Sequence, residues 1–172
     1  LGTAGVTVGL ALQGGLANLA GGVLLLLFKP FVVGDYIIQD QSNGCEGTVA
    51  KIEICYTTLL SIDNKKVVVP NGTLSNSTII NVTAKENRKL EIKVGISYEA
   101  DIQKAKRIIE KILREDADTK SDTKEMVVFV DELADSAVIM GLRVWVSTER
   151  YWPTKWRLNQ KIKEEFDANG IV

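Results

Sequence analysis

Histidine is absent from this sequence of 172 residues, and cysteine occurs only twice. Without an imidazole there is no histidine general base and no histidine metal ligand. Cys45 and Cys55 lack the spacing of a metal site; they flank a strand-like run and either pair in an oxidising compartment or serve as spare core thiols in a reducing one. A nucleophile elbow and the phosphate-cradling G-x-x-x-x-G-K pattern are also missing, which argues against an enzyme and leaves no expected cofactor or metal. A basic excess is missing too: 21 Lys and Arg stand against 22 Asp and Glu, for a net charge of −1. A nucleic-acid surface needs clustered cations to displace phosphate counterions, so no nucleic-acid partner is expected. The acidic cluster Asp131, Glu132 and Asp135 is expected in a solvated turn between two strands.

A local absence is more telling. Leu1 to Phe28 holds no charged residue, and every ionisable side chain follows it. About 20 apolar residues at 1.5 Å per residue span a hydrocarbon core of roughly 30 Å, so this stretch is long enough to cross a bilayer. A secretory signal would begin with basic residues and have a shorter apolar part. Here the first cation, Lys29, comes after the segment, which places that end on the cytoplasmic side by the positive-inside tendency.

Seven of those 28 residues are glycine, although each glycine costs about 1 kcal/mol in a helix relative to alanine. Gly2, Gly5 and Gly9 fall along one helical stripe, and Thr3, Thr7 and Ala11 form a second small-residue stripe beside it. Copies of such a helix can pack ridge into groove with close backbones. Val6 and Leu10 lie on the arc between the stripes, spaced i, i+4. In a ring of helices they would stack as two apolar collars, able to close a pore by dewetting; otherwise they face lipid or core. Gly14 and Gly15 mark a kink, so the segment is expected as two helical pieces. The second piece carries Leu16, Leu19, Val23, Leu26 and Leu27 and is expected as an amphipathic helix near the cytoplasmic interface.

After Lys29-Pro30 the pattern changes. Tyr36–Ile38, Gly47–Ile54, Tyr56–Ile62 and Lys66–Val69 read as strands, separated by turn signals at Ser42-Asn43-Gly44, Asp63-Asn64 and Pro70-Asn71-Gly72. A small barrel-like β domain over 31–87 follows. From Arg88 the order is strand, helix, strand, strand, helix. Ile92, Val94 and Ile96 alternate; Ile102, Ala105, Ile109, Ile112 and Leu113 make one helical face; Met126–Val130 and Val138–Val146 read as strands. Pro153 opens a last helix with Leu158, Ile162 and Phe166 inward, closed by Asn169-Gly170. This is the split βαβ order of ferredoxin-like domains over 88–172. With no initial Met, and with Ile171-Val172 reading as the start of another strand, the chain is expected to be a piece of a longer one.

The run Val8 to Phe31 (VGLALQGGLANLAGGVLLLLFKPF), Gly34 to Ile37 (GDYI), Gly47 to Gly72 with Ile79 to Asn81, and Val94 to Asp101 (VGISYEAD) together resemble the small-conductance mechanosensitive channel family (MscS-like). The resemblance covers essentially the whole chain. It implies a membrane α segment, a kinked pore-lining helix over 1–30, followed by an Sm/SH3-like β domain and an α+β ferredoxin-like domain. It further implies a homoheptamer in the bacterial inner membrane, with residues after about 30 building a hollow cytoplasmic cage. Members open under bilayer tension and release ions and small solutes after hypo-osmotic shock. By motif, the pore constriction falls on Val6 and Leu10, helix packing on Gly2, Gly5, Gly9, Thr3, Thr7 and Ala11, and bends on Gly14 and Gly22. Val6 stands where leucine is usual, and Thr3 and Thr7 where alanine is common; threonine hydroxyls can bond the i−4 carbonyl. The competing reading is a membrane-anchored oligomeric scaffold that never conducts.

Overall fold

In the computed structural model, residues 2–40, 44–120 and 125–172 are described. Two compact units divide the chain, one ending at Ala84 and one beginning at Lys85. The first contains the apolar helix α1 (Gly2–Phe28), strands β1 (Tyr36–Gln39), β2 (Glu46–Ile52), β3 (Tyr56–Leu60) and β4 (Lys66–Pro70), the short helix α2 (Asn71–Ser75) and β5 (Ile79–Asn81). Helix α1 belongs to the same unit as the β domain.

The apolar segment forms one helical run, α1, assigned without interruption through Gly14 and Gly15. Glycine weakens a helix entropically but keeps its backbone donor, so the hydrogen-bond ladder can run straight through. Beyond Phe28, Pro30 keeps Lys29 out of the right-handed α region, and Lys29 takes a left-handed conformation (φ 46°) while its amide still donates to Leu25 O at 3.0 Å.

All pairings in the five-stranded sheet are antiparallel, in the order β4-β3-β2-β1-β5, with a register shift between Val49 and Lys51. Ser42 and Asn43 of the expected β1–β2 turn lie outside the described residues. Alternation places Ile37, Val49, Leu59 and Val69 inward, where they form one core with Leu25 of α1, Phe31 and Leu74 of α2. The Pro70-Asn71-Gly72 turn signal corresponds to the start of α2, which the sequence pattern does not announce.

The second unit holds β6 (Asn87–Ile96), α3 (Ile102–Glu115), β7 (Val127–Leu133), β8 (Val138–Ser147), a 3-10 turn at Thr148–Arg150 and α4 (Tyr151–Ala168). The sheet order is β6-β8-β7, and both helices bury their apolar faces against it: Ala105, Ile109, Ile112 and Leu113 from α3, Leu158, Ile162 and Phe166 from α4. Asp101 caps α3, its Oδ1 accepting from Lys104 N at 3.0 Å. Helix α4 begins at Tyr151, two residues before Pro153. The missing proline donor is harmless there, because first-turn amides have no intrahelical partner. The other end is a Schellman closure: Gly170 (φ 69°) donates to Asp167 O at 3.2 Å and Ile171 N to Phe166 O at 2.9 Å. Ser97 N then donates to Val172 O at 2.5 Å, beside the free edge of β6. Asp131 and Glu132 sit on β7 and not in the turn; Asp131, at a register shift, pairs with Lys93 Nζ at 2.8 Å.

Candidate functional site

Helix α1 has two unlike parts. Up to Leu16 its side chains are exposed within the chain, with Val6 64% and Leu10 68% exposed. A Cβ added at Gly2, Gly5, Gly9, Gly14 or Gly15 would meet no atom within 4 Å. Val6 and Leu10 lie on the same face as expected for an i, i+4 pair, between the stripe of Gly2, Gly5 and Gly9 and the stripe of Thr3, Thr7 and Ala11. Thr7 Oγ1 donates to Thr3 O at 3.0 Å, so that hydroxyl is satisfied on its own helix and is not left to seek a partner in an apolar surrounding. This half of α1 is therefore an apolar, charge-free rod with a stripe stripped of side chains, and it is exposed on all sides among the described residues.

From Asn18 onward the helix is seated. Asn18 Oδ1 accepts from Gly72 N at 3.0 Å, satisfying one of the orphan amides at the start of α2. One turn on, a Cβ at Gly21 would lie 2.7 Å from Asn71 C and O and from Gly72 N. A Cβ at Gly22 would lie 2.0 Å from Ile54 O and 2.7 Å from Asn71 Nδ2. Next along the same face, Leu25 enters the β-domain core. At Gly22, expected as a bend, a second backbone comes within touching distance of the helix. Leu16, Leu19, Val23, Leu26 and Leu27, the apolar side expected to lie near the interface, are exposed within the chain, and Gly21, Gly22 and Leu25 are the side turned to the β domain.

The seat itself is built around Asn71. Buried completely, it donates Nδ2 to Glu53 O at 2.7 Å, accepts at Oδ1 from Thr57 Oγ1 at 2.7 Å, and donates its amide to Cys55 O at 2.9 Å. One side chain thereby joins the β2–β3 turn, β3 and the start of α2 beneath the two glycines. The Asn18-x-x-Gly21-Gly22-x-x-Leu25 spacing was the signal in the sequence for this contact: small and polar residues at i, i+3 and i+4 before a single inward leucine. Cys45 and Cys55 are both free thiols, and burial raises the Cys45 thiol pKa. Among the described residues no cluster of three or more His, Cys, Asp or Glu is placed to hold a metal.

A helix long and apolar enough to cross a membrane is thus seated by its second half on a small β sheet, and an α+β unit follows in the chain. Residues 15–84 match the model of the mechanosensitive ion channel β-domain, and residues 90–172 that of the mechanosensitive ion channel MscS C-terminal domain. The chain is 40% identical over 168 residues to the small-conductance mechanosensitive channel of Edwardsiella ictaluri, covering 98% of this chain and 57% of that protein. It is 33% identical to the small-conductance mechanosensitive channel of Helicobacter pylori, covering 99% of this chain and 61% of that protein. Among solved structures, the closed-state crystal structure of Helicobacter pylori MscS superposes with a TM-score of 0.91 at 30% identity, over 100% of this chain and 67% of that one. Arabidopsis thaliana MSL1 shares the fold, with a TM-score of 0.80 at 21% identity, over 99% of this chain and 62% of that one.

The chain belongs to the small-conductance mechanosensitive channel (MscS) family. It spans a little over half the length of the first curated relatives it matches.

Proposed function

We propose that this chain is the pore helix and the following cytoplasmic part of a channel opened by bilayer tension, which releases ions and small solutes in hypo-osmotic shock. Copies of α1 line the pore of a homoheptamer in the bacterial inner membrane, with residues after about 30 in the cytoplasm, where Lys29 is the first cation. Val6 and Leu10 form the apolar constriction. Gly2, Gly5 and Gly9 of one helix receive Thr3, Thr7 and Ala11 of the next. Gly14, whose missing Cβ leaves the ladder intact but the backbone free, is the position where α1 bends when neighbours load it.

One observation carries this reading: a stripe of glycines with open space around it, on a charge-free helix whose other end is already fixed to a folded domain. Lipid contact gives no reason to remove side chains from a stripe, whereas close packing of identical helices does. A scaffold without conductance would need an anchor but not paired collars. The likeness to a relative described in its closed state supports reading the present arrangement as closed. The test is recording from excised patches under suction, with the whole protein from which this chain comes. Currents that rise steeply with suction are expected; a heptamer that stays silent up to patch rupture would leave only the scaffold.

A further inference from the structure

The connection over residues 29–35, between α1 and β1, is held by one carboxylate. Asp35 Oδ2 accepts from Val32 N at 2.9 Å and from Asn81 Nδ2 at 2.8 Å, while Oδ1 accepts from Thr83 Oγ1 at 3.3 Å. Asn81 is the last residue of β5, and the same Nδ2 also donates to Pro30 O at 3.2 Å. Its Oδ1 accepts from Thr83 N at 3.3 Å, and Thr83 Oγ1 accepts from Tyr36 N at 3.0 Å. On the other side, Gly34 N donates to Val49 O and Val49 N to Asp35 O, each at 2.8 Å. The connection is bent into left-handed backbone at both ends, at Lys29 (φ 46°) and Gly34 (φ 99°), so its path depends on these ties and not on regular structure. The three groups that donate to the Asp35 carboxylate are neutral, one from three residues back and two from 46 and 48 residues on, which makes the contact geometric rather than a charge pairing.

Resting on the channel reading above, we propose that Asp35 and Asn81 are positioning residues for gating: they form a clasp that ties the exit of α1 to β5. With the clasp shut, Pro30 and Val32 follow the β sheet. The foot of α1 then cannot change direction unless the sheet moves with it or the clasp gives way. The clasp therefore adds to the tension needed for opening.

The test uses the full-length protein. In excised patches, Asp35→Ala and Asn81→Ala are each expected to open at lower suction than wild type. The double variant is expected to open at the same suction as the more sensitive single one, because both break the same tie. Asp35→Asn keeps one oxygen for Val32 N and Asn81 Nδ2 and turns an amide toward Thr83 Oγ1, and is expected to restore the wild-type opening pressure. Wild-type or raised opening pressure in both alanine variants, or additive shifts in the double variant, overturns the clasp. Should an alanine variant fail to assemble, Thr83→Val serves in its place, with a smaller shift in the same direction expected and no shift overturning the proposal. Amide exchange over residues 29–35, faster in Asn81→Ala than in wild type, reads the clasp without any current. Unchanged exchange refutes it even if the protein never conducts, whereas a silent wild type with faster exchange in the variant refutes the channel reading alone.

Discussion

The carbonyl oxygen of Ile54 lies 2.0 Å from where a Cβ on Gly22 would stand, closer than any real side chain could be accommodated. Gly21 has the same relationship to the Asn71 carbonyl and the Gly72 amide at 2.7 Å. Both obstacles are backbone, held by the hydrogen bonds of Asn71, and cannot swing away as a flexible side chain would. The last third of α1 is therefore seated by the absence of side chains.

Gly22→Ala is expected to destabilise this seat by at least the 1–3 kcal/mol typical of overpacking, despite a gain of about 1 kcal/mol in helix propensity. Gly5→Ala has open space in its own chain and should show only the propensity gain unless neighbouring helices fill that space. Thermal unfolding of the full-length protein in detergent separates the two. A Gly22→Ala melting temperature at or above wild type would mean that α1 is not seated as described.

Asn71 is buried with its side-chain donor and acceptor both engaged. Asn71→Asp removes the donor to Glu53 O and places a carboxylate at a fully buried position. A loss of about 3 kcal/mol or more is expected from the unpaired acceptor and the buried charge. Thr57→Val, which removes the hydroxyl that donates to Asn71 Oδ1, should cost about 1 kcal/mol. Unfolding midpoints that rank the two variants the other way round would show that Asn71 does not organise the seat.

The collar prediction concerns the free half of α1. In the proposed pore, Leu10→Ser would keep the helix but wet the apolar collar assigned to Leu10. A lower opening threshold in patch recordings is expected, with assembly unchanged; an unaltered threshold removes Leu10 from the gate. A Cβ at Gly9 has open space within 4 Å outside its own helix, so failure to assemble or to gate in Gly9→Leu points to neighbouring helices.

Where one periodicity governs burial, the sequence was easy to read. Ala105, Ile109, Ile112 and Leu113, and Leu158, Ile162 and Phe166, repeat at helical spacing and are buried as expected, because each helix meets a single sheet face. Short runs such as Tyr36–Ile38 and Lys66–Val69 were visible through β-branched content and flanking turns, and each strand runs one residue further. The seat of α1 was hidden by the usual equation of apolar with inward. In a helix made for lipid or for its own copies, leucines face out and glycines mark the contact, reversing the pattern of a soluble helix. Helix α2 was hidden for another reason: Pro70-Asn71-Gly72 carries turn residues, and only the tertiary bonds of Asn71 and Asn18 make the following turn helical. Asp35, read only as part of a motif, takes partners 46 and 48 residues away, beyond the reach of any local pattern.

The second unit carries a charge network with a consequence in acid. Arg157 Nε and Nη2 donate to the two oxygens of Asp116 at 2.8 Å each, and Nη2 also reaches Asp118 Oδ2 at 2.8 Å. Arg150 Nη2 joins at 3.1 Å, and Asp118 N donates to Asp116 Oδ1 at 3.0 Å. Burial pushes the Asp116 carboxyl upward, but the hydrogen bonds from Arg157 and from the Asp118 amide outweigh it, and the net pKa is lowered from 3.8. Asp118 is lowered as well, chiefly by its hydrogen bond from Arg150 and then by Arg157. A carboxyl whose pKa is depressed on folding contributes stability that is fully present above its unfolded value, here about 4, and is lost as pH falls through the lower folded value. Wild type should therefore lose melting temperature below about pH 4. Asp116→Asn, which ends the ionic contact from Arg157 at every pH, should melt lower at pH 7 and lose less on further acidification, so that the two curves converge. Parallel curves from pH 7 to pH 3 would show that this network contributes nothing to acid sensitivity.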